Sequence, residues 1–480
     1  MIAHIDADAF FAAVLVRKHP HLRGKPLLAL GMGGGCVISA SYEAKAKGVK
    51  TGMSLKEALK LIPNVLRMPS DFHETALASQ QIEEMLQDQC PIIEQMSVDE
   101  WFLDLSSRVG GTPQDLSAWA ATIRTDVLSR TGLSVSVGVG PTKLLAKMAS
   151  EYRKPGGITV VTGGFMPPPF GPPPRPHRCG GFGLGEGDFN FSVPHGGAVL
   201  LRSIAHCCNE QHGSAVRHSP TMTRPLPGRS AHRPAAEGEG LQGGGMALQN
   251  FLQARPAAAI PGIGRRRVIH TDIEGWKTAW DIAQAPLERI SQLFGKPGRE
   301  LQLELRGEPV YAVSPDVAPP KSVSRCRSFR ATKDRSELWA HLLRHLEYTV
   351  LKMRRWGLGC QGISVWLRND AYFHEGANLS LPQVMDTEEE LQPYVLRCFE
   401  RVYRSTVACT QIGIALWRLL PKHATQFSLF GQPQELLKGE QLQQALDTLH
   451  ERFGRQTITR GSAIRVKSGT QQSLDMPVYE

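Results

Sequence analysis

The chain has 480 residues, a length that indicates roughly two to four domains rather than one. It is basic, with 55 Lys and Arg against 45 Asp and Glu and a net charge of +10, which favours a polyanionic partner, nucleic acid before an anionic membrane surface. Its 41% hydrophobic and 21% charged residues exclude a fibrous or wholly disordered chain. The apolar runs are shorter than the roughly 18 residues that cross a bilayer, so we expect no membrane span.

The cysteines and the N-terminal segment indicate a cytoplasmic protein. Nine cysteines are scattered without a CxxC pair, which favours a reducing compartment over a disulfide framework or a zinc ribbon. The first residues, MIAHIDADAFFAAV, carry two Asp and no basic leader before the apolar stretch. We therefore expect no secretory signal.

A segment of unusual composition, residues 163–250, interrupts the chain. It holds 17 Gly and 12 Pro among its 88 residues, contains no Lys, and carries 6 of the 16 His. Pro and Gly at this density, without a repeat, are typical of a segment that cannot build a packed core, so we predict a disordered insertion. Its potential metal ligands fit no standard spacing, and we interpret them as chance composition: His177, Cys179, His195, His206, Cys207, Cys208 and His212.

The first 162 residues have the pattern of an alternating α/β domain. Short apolar runs predict strands over Ala3–Ile5, Cys36–Ser41, Val98–Leu105 and Ser134–Gly138. Amphipathic spacing and helix-ending signals predict helices over Asp8–Val16, Tyr42–Gly48, Ser54–Leu61, Ser79–Gln89, Ala118–Arg130 and Pro141–Tyr152.

Beyond the insertion, the pattern changes twice. Residues 251–307 are helical in character, and residues 308–425 mix predicted strands and helices in an α+β module: Gly362–Leu367, Ile412–Leu419, Ser336–Met353 and Thr387–Thr406. The tail, 426–480, carries one predicted helix, Glu440–Arg452.

Acidic residues lie at the ends of two predicted strands. Asp6 follows the first strand, while Asp99 and Glu100 open another, and carboxylates at strand ends commonly hold two Mg²⁺ ions for nucleotidyl transfer. Because neighbours in a regular strand point to opposite faces, Asp99 and Glu100 can reach one site only near a strand end or a hairpin. Asp104 would share the face of Glu100 in a regular strand, a structural role being the alternative, and each acid taken singly is also compatible with a solvated or capping role.

Aromatic and basic residues surround these acids in the sequence. Phe11 closes an aromatic pair one turn after Asp6, and Tyr42 and Lys45 offer a hydroxyl and an ammonium at helical spacing. Basic residues crowd the helix before the Pro-Gly-Gly turn: Lys143, Lys147, Arg153 and Lys154. Metal-binding acids with convergent Lys and Tyr are what a triphosphate requires, although core packing and a solvated helix face account for the same residues singly.

Four sequence blocks follow one another between residues 4 and 157: HIDADAFFAAV, GCVISASYEAKAKGVKTGM, EQMSVDEWFLDLS and SVSVGVGPTKLLAKMASEYRKPGG. In order and spacing they resemble the Y-family translesion DNA polymerases, mainly the bacterial DNA polymerase IV branch, with some features of the DNA polymerase V catalytic subunit. The resemblance implies a right-hand polymerase of α+β multidomain class, with a palm, small fingers, a helical thumb and a little finger.

The resemblance also implies roles for individual residues. Asp6 and Asp99 would bridge two Mg²⁺ ions, Glu100 would bind the metal beside the primer 3′-hydroxyl, and the carbonyl of Ala7 would complete the nucleotide-side metal. Phe11 matches the steric gate against a ribose 2′-hydroxyl. The family's triphosphate contacts correspond to Tyr42, Lys45 and Lys154.

Two positions depart from the family pattern. Lys45 stands where Arg is commonest in polymerase IV, which keeps the charge but loses a bidentate fork, so we expect modestly weaker nucleotide binding. Leu15 stands where the family usually has an acid, and we expect no consequence.

Three further motifs have counterparts in the family. The turn Ile260–Gly264 resembles the thumb's helix-hairpin-helix turn, in which the backbone at Gly262 and Gly264 would grip a DNA phosphate, although the motif by itself also fits a plain turn. The stretch Lys321–Arg330 resembles the first little-finger strand; Arg325 and Arg327 would share one face and track phosphates, the alternative being a basic edge strand. A tail pentapeptide resembles the sliding-clamp-binding motif, with the anchors Gln426, Leu429 and Phe430.

The sequence thus predicts a palm from 1–11 and 69–162, fingers from 12–68, a thumb from 251–307 and a little finger from 308–425. The expected function is low-fidelity, template-directed DNA synthesis across damaged template by a monomer in the bacterial cytoplasm. Its expected partners are primer-template DNA, deoxynucleoside triphosphates and the sliding clamp. Two alternatives stay open: a polymerase made defective by the insertion, and a non-catalytic member that binds DNA or the clamp.

Overall fold

The computed structural model describes residues 1–31, 34–163, 245–316, 318–421, 441–446, 448–449 and 452. The described residues fall into two compact units, the first built from 1–163 and 245–316 and the second beginning at 318. None of the helices in these ranges is long and apolar enough to cross a membrane.

The first unit is organised around a six-stranded sheet. Its strands, in sheet order, are β5 (Ile93–Ser97), β6 (Glu100–Asp104), β1 (Ile2–Ala7), β7 (Val135–Gly140), β8 (Ile158–Thr162) and β9 (Met246–Ala247). Three helices pack through their apolar sides against one face: α1 (Phe10–Lys18), α4 (Phe72–Gln87) and α5 (Leu116–Thr131). Their core includes Ile5, Ile82, Trp101 and Val137, so alternate residues of β1 and its neighbours are committed to this face.

The opposite face of this sheet receives helix α6 (Lys143–Ser150). Glycine permits the contact, because a Cβ on Gly138 of β7 would lie 2.2 Å from the carbonyl oxygen of Ala146. The buried imidazole of His4 joins β1 to the same helix through a 2.7 Å hydrogen bond between its Nδ1 and Ser150 Oγ. Helix α6 is therefore held close to the face that carries the side chains of His4 and Asp6.

A smaller sheet lies within residues 27–69. Strand β2 (Leu27–Leu30) pairs antiparallel with β3 (Val37–Ala40) and parallel with β4 (Leu66–Pro69). Two short helices, α2 (Tyr42–Ala46) and α3 (Leu55–Leu61), bury Ala44 and Ala58 against it. Ser54 and Glu57 form a capping box that begins α3, as the sequence predicts for a helix over this region.

The ends of the insertion are adjacent in the main sheet. Strand β9 pairs parallel with the last residues of β8, and a Cβ on Gly245 would lie 2.7 Å from Cγ2 of Thr162. The strand is followed by helix α7 (Leu248–Gln253), whose Phe251 is buried. The predicted end of the insertion at residue 250 is therefore wrong, because residues 246–250 already belong to packed structure.

Helices after β9 form a compact group that packs on α6. They are α7, α8 (Arg265–Ile273), α9 (Ala279–Gln284) and α10 (Leu287–Leu305), the last interrupted by non-helical backbone at Gly295. Their shared core contains Leu145 and Met148 of α6 together with Phe251, Ile282 and Ile290. This confirms the helical character predicted for residues 251–307.

The boundary of the second unit lies later than the predicted residue 308. The buried carboxylate of Glu304 accepts hydrogen bonds from the backbone of Val310 (2.7 Å) and Tyr311 (3.1 Å). Val313 packs with Ile2 and Phe102 on the main sheet. Residues 308–316 thus belong to the first unit, because one buried acid and one apolar side chain hold them there.

The second unit has a four-stranded antiparallel sheet in the order β10 (Ser322–Thr332), β13 (Cys409–Pro421), β11 (Leu358–Asn369) and β12 (His374–Met385). Helices α11 (Arg335–Arg354) and α12 (Glu388–Val402) share an apolar core with one face. On the other face, Trp366 lies over a glycine, since a Cβ on Gly413 would be 2.2 Å from its Cζ2. The α+β module predicted here is confirmed, with longer strands than the sequence indicates.

Two histidines of α11 make this unit sensitive to acid. Burial lowers the pKa of His341 to about 4, and the positive charge of Arg327 adds to this shift. Burial also lowers the pKa of His345 well below 6.5, and the positive charge of Arg325 adds to that shift. Among the described residues, neither ring nitrogen of His345 has a hydrogen-bond partner. Between pH 6.5 and about 4 these two histidines therefore bind more protons in the unfolded chain than in the folded chain.

We expect the contribution of these histidines to the free energy of unfolding to be fully present above pH 6.5 and to be lost progressively towards pH 4. Thermal unfolding of the full chain at about pH 7.5 and about pH 5 measures the pH difference in stability to which they contribute. His345→Leu, which removes one of the two groups, should reduce it. A pH difference of the same size in this variant would contradict the assignment.

Candidate active site

The three predicted metal-binding acids meet at one end of the β1–β6 pair. Asp6 lies directly opposite Glu100 in the antiparallel register, and the backbone N–H of Ala7 donates to the carbonyl of Asp99 at 2.9 Å. Asp99 lies in the turn between β5 and β6, and Glu100 is the first residue of β6. The strand expected over Val98–Leu105 begins only at Glu100, and the residues before it form the turn of a β5–β6 hairpin. This is a geometry that lets two adjacent acids reach one site.

Two lysines neutralise these carboxylates. Lys154 Nζ lies 2.6 Å from Asp6 Oδ1, and Lys147 of α6 forms an ion pair with Glu100. Burial raises the pKa of Asp6, an effect that Lys154 opposes and that Glu100 and Asp99 reinforce. Burial also raises the pKa of Asp99, while a hydrogen bond from Ser97 opposes the shift. Nearby positive charge therefore stabilises the ionised acids, because like charges directly opposite in a strand pair repel one another.

The donor set fits a hard divalent cation. Carboxylate oxygens of Asp6, Asp99 and Glu100, with the carbonyl of Ala7, are the ligand type that Mg²⁺ prefers. Across the described ranges, no three acidic, His or Cys side chains are already arranged to hold a metal ion, and Lys154 and Lys147 pair with Asp6 and Glu100. Sequence reasoning placed Lys147 only in a basic helix and did not foresee this contact.

Asp104 has the structural role that the sequence suggested. Its carboxylate accepts from the backbone N–H of Ser106 at 3.0 Å and from its hydroxyl at 2.7 Å, and so begins a short 3₁₀ turn. It lies at the opposite end of β6 from Glu100.

Phe11 lies in the first turn of α1, the helix that follows β1 and Asp6. The sharp change from β1 to α1 passes through Ala9, whose φ of 47° is left-handed. The Phe11 ring is partly exposed and meets Phe72 edge-on, with ring centroids 5.8 Å apart. A rigid aromatic side chain is thus fixed two residues after the strained turn.

Tyr42 and Lys45 stand together at the start of α2. The Lys45 ammonium lies 4.4 Å from the centre of the Tyr42 ring, and the Tyr42 hydroxyl donates to Asp8 at 3.2 Å. Burial lowers the pKa of Lys45, and the neighbouring Lys154 adds to this shift. The structure therefore brings the three predicted triphosphate contacts into one electrostatic group with Asp6. Asp8, which is buried among them, was passed over by sequence reasoning.

The predicted DNA-contact residues lie on two different elements. Gly262 has a φ of 96° and its carbonyl accepts from Arg267 at 2.9 Å, while Gly264 is the N-cap of α8. The side chains of Arg265 and Arg266 are exposed. The turn thus has the backbone conformation that requires glycine, followed by a basic helix start.

Arg325 and Arg327 share a face of β10, as predicted, but it is the face towards the helices. Arg325 lies 4.0 Å from the ring centre of Tyr348, and both arginines pair in register with core residues of β13. The exposed alternate positions are occupied by Ser324, Cys326, Ser328 and Arg330. Strand alternation thus directs Arg325 and Arg327, which are partly exposed, towards α11, and their contact with phosphates stays a prediction.

The clamp-peptide residues Gln426, Leu429 and Phe430 lie outside the described residues. So do the cysteines and histidines of the insertion.

Two family models match the chain. The impB/mucB/samB family matches residues 5–151, and the C-terminal domain of the same family matches residues 320–429. The chain is 42% identical to a DNA polymerase IV of Gluconobacter oxydans over 168 residues, which is 35% of this chain and 47% of the relative. It is 25% identical to DNA polymerase IV of Desulfatibacillum aliphaticivorans over 466 residues, 95% of each chain.

The fold has counterparts among solved structures. A Y-family DNA polymerase chimera of Dbh and Dpo4 matches with a TM-score of 0.60 and 19% identity, covering 87% of this chain and 99% of the chimera. The Dbh DNA polymerase in an insertion ternary complex matches with a TM-score of 0.50 and 20% identity over 87% of this chain and 99% of its own.

The main sheet with acids at one end of its β1–β6 pair, the smaller sheet within residues 27–69, the helical group and the α+β unit define a multidomain polymerase fold. The two family matches together span just over half of the chain, which belongs to the Y family of DNA-directed DNA polymerases. Within this family its sequence is similar to DNA polymerase IV.

Proposed function

We propose that the chain carries out template-directed synthesis on primer-template DNA and copies damaged template with low fidelity. The observation that supports this most directly is the meeting of Asp6, Asp99 and Glu100 at one strand end beside Lys154 and Tyr42. A primer-extension assay with the purified full chain, on an undamaged template and on one with an abasic site, tests the proposal. Absence of extension on both templates would refute it.

Two Mg²⁺ ions held by the carboxylates of Asp6, Asp99 and Glu100 and the carbonyl of Ala7 would supply charge neutralisation and activation of the primer 3′-hydroxyl. The residues themselves prepare the site before a metal binds. Lys147 and Lys154 hold the acids close together despite their repulsion. Asp6 and Glu100 are presented by paired strands, so their relative position is fixed by the register.

The nucleotide would bind between the palm acids and the finger helix α2. Lys45, Lys154 and Tyr42 offer two ammonium groups and a hydroxyl to the triphosphate. The similar structure of Dbh DNA polymerase is an insertion ternary complex, which supports DNA and nucleotide as partners here. The exposed Arg265 and Arg266 and the turn at Gly262–Gly264 supply a phosphate contact. The sliding clamp, bound through Gln426, Leu429 and Phe430, and a monomeric state complete the proposal.

The presence of all three acids in one place disfavours a purely binding role. A member that served only to recruit partners would have no need of an ion-paired acidic group held at a strand end. The alternative is a polymerase that its insertion has made defective. Primer extension by the full chain and by a variant without residues 164–244 distinguishes the two.

Phe11→Ala is expected to admit ribonucleotides. The partly exposed ring is held against Phe72, so its removal opens space where a ribose 2′-hydroxyl would lie. Discrimination by such a contact is worth about 1–3 kcal/mol, so we expect ribonucleotide incorporation to rise by roughly tenfold to a hundredfold relative to deoxyribonucleotides. Single-nucleotide insertion kinetics measure the ratio. Phe72→Leu is the matched control, because it keeps the Phe11 side chain. An unchanged ratio of ribonucleotide to deoxyribonucleotide insertion in Phe11→Ala would contradict the gate assignment.

A further inference from the structure

Asp8 is a buried acid that has no part in the proposed metal site. It lies directly after β1 and its relative exposure is 4%. Its carboxylate accepts four hydrogen bonds. Oδ2 accepts from Ser134 Oγ at 2.7 Å and Gly156 N at 2.8 Å, and Oδ1 accepts from Ser136 Oγ at 2.8 Å and the Tyr42 hydroxyl at 3.2 Å. An ionised carboxylate offers about four lone-pair positions, so this group is saturated.

The four donors come from three separate segments. Ser136 lies in β7 and Ser134 directly precedes it, Tyr42 begins α2 beside the smaller sheet of residues 27–69, and Gly156 lies in the loop two residues after Lys154. Two of these segments carry the predicted triphosphate contacts Tyr42 and Lys154. One buried carboxylate therefore joins both of them to the palm sheet.

The distances separate a fixed part from a movable part. The bonds from Ser134, Ser136 and Gly156 are at or near the usual length for their donors, whereas the bond from Tyr42 is longer than the usual O–H···O distance of about 2.7–2.8 Å. Asp8 is thus anchored by β7 and the Gly156 loop. The Tyr42 hydroxyl is held more weakly, so it can exchange this acceptor for a phosphate oxygen.

Charge supports the same arrangement. All four donors to Asp8 are neutral, so its negative charge is not consumed in a direct ion pair with them. It favours the charged forms of both Lys45 and Lys154, whose ammonium groups repel each other. A fixed anion behind two lysines keeps both near one place before the triphosphate arrives.

We propose that Asp8 is a positioning residue that holds Tyr42 and the Lys154–Gly156 loop together as the triphosphate-binding part of the site. The inference deepens the proposed polymerase function and rests on it. Asp8 acts through its neighbours, and its saturated carboxylate is not assigned to a metal or to the substrate. Preorganisation of this kind strengthens binding because the contacts need not be ordered when the ligand arrives.

Asp8→Asn is the decisive variant, because the fold can accept it. The N–H of Gly156 can only donate, so the amide oxygen stays with Gly156 and Ser134. The amide nitrogen then faces Ser136 and Tyr42, whose hydroxyls can rotate to accept. The variant loses the negative charge and reorients the Tyr42 hydroxyl while the other contacts remain.

Binding of a deoxynucleoside triphosphate is measured by calorimetry on the full chain with Mg²⁺ and a dideoxy-terminated primer-template. We expect Asp8→Asn to weaken binding by about fivefold or more, with kcat for extension changed less than about twofold. When Tyr42 is already replaced by Phe, Asp8→Asn should weaken triphosphate binding less than it does in the parent. The loss in log Kd should be at most about half as large, because the two residues act as one unit. Asp104→Asn, which alters an acid that only begins a 3₁₀ turn, should bind triphosphate as the parent does.

Equal triphosphate binding by Asp8→Asn and the parent would overturn the inference. So would a loss of affinity on Asp8→Asn that is the same in the parent and in Tyr42→Phe. If the parent extends no primer but Asp8→Asn weakens triphosphate binding with the expected coupling, the polymerase proposal fails and the role of Asp8 stands. If the parent extends primers and Asp8→Asn leaves binding unchanged, only the inference about Asp8 fails. A parent chain that binds no triphosphate would overturn both.

Discussion

Asp99→Ala in the full chain is expected to reduce primer extension by about a thousandfold or more. Loss of a bridging carboxylate removes several kcal/mol of charge stabilisation, and about 4 kcal/mol corresponds to this factor. The fold should survive, because Asp99 lies in the β5–β6 turn and its backbone carbonyl, which accepts from Ala7, is unchanged. Extension rates of the variant and the parent, measured at equal protein concentration, check the result.

Asp104→Ala is the matched control for this variant. Asp104 ends the same strand and begins a 3₁₀ turn, so its removal should cost about 1 kcal/mol of folding stability and leave extension close to that of the parent. Equal extension by Asp99→Ala and the parent would show that synthesis does not depend on the acids at the strand end. Equal losses in both variants would show that general destabilisation, rather than loss of a metal ligand, explains the effect.

Replacement of residues 164–244 by a flexible linker of about ten residues is expected to preserve the fold and to raise its stability. Gly245 lies beside Thr162, and β9 pairs with the end of β8, so the two ends already meet in the sheet. The composition of the insertion predicts that it builds no packed core, and on that prediction a shorter linker lowers the entropic cost of closing the connection by about 1–2 kcal/mol. The midpoint of thermal unfolding should therefore rise by a few degrees.

The same deletion separates two functions that the sequence left open. Extension by both the full chain and the deletion variant, abolished in each by Asp99→Ala, supports an active polymerase that tolerates its insertion. Extension only after the deletion supports a polymerase made defective by the insertion. A deletion variant that unfolds at lower temperature than the parent would contradict the structural argument, because it would mean that the removed residues contribute to the folded unit.

Much of the site could be predicted because the acids and basic residues stand in short, ordered blocks. Asp6, Asp99 and Glu100 were named from their place at strand ends, and the sequence required a strand end or a hairpin at Asp99 and Glu100. The relative position of these acids depends on strand register, because only the pairing of β1 with β6 places Asp6 opposite Glu100. The pairing partners of Lys147 and Lys154 depend on how α6 packs on Gly138, a long-range contact that no local pattern encodes.

Errors in the prediction have the same origin. Alternation along β10 correctly placed Arg325 and Arg327 on one face, but which face is buried depends on the helices that cover the sheet. The end of the insertion and the start of the second unit were misplaced because β9 is two residues long and residues 308–316 are held by the side chain of Glu304. Neither feature has a periodic signal.

The unusual segment at 163–250 and the net charge of +10 can both be read from the sequence, since composition alone predicts where a packed core does not form and which partner class is favoured. The family blocks likewise needed no structure, because residue type and order carry them. Only the tertiary structure decided that the insertion begins and ends at one point of the palm sheet, that lysines neutralise the acids, and that Asp8 joins Tyr42 to the Lys154 loop. Each of these depends on residues far apart in the chain, and their proximity is fixed by strand register and helix packing.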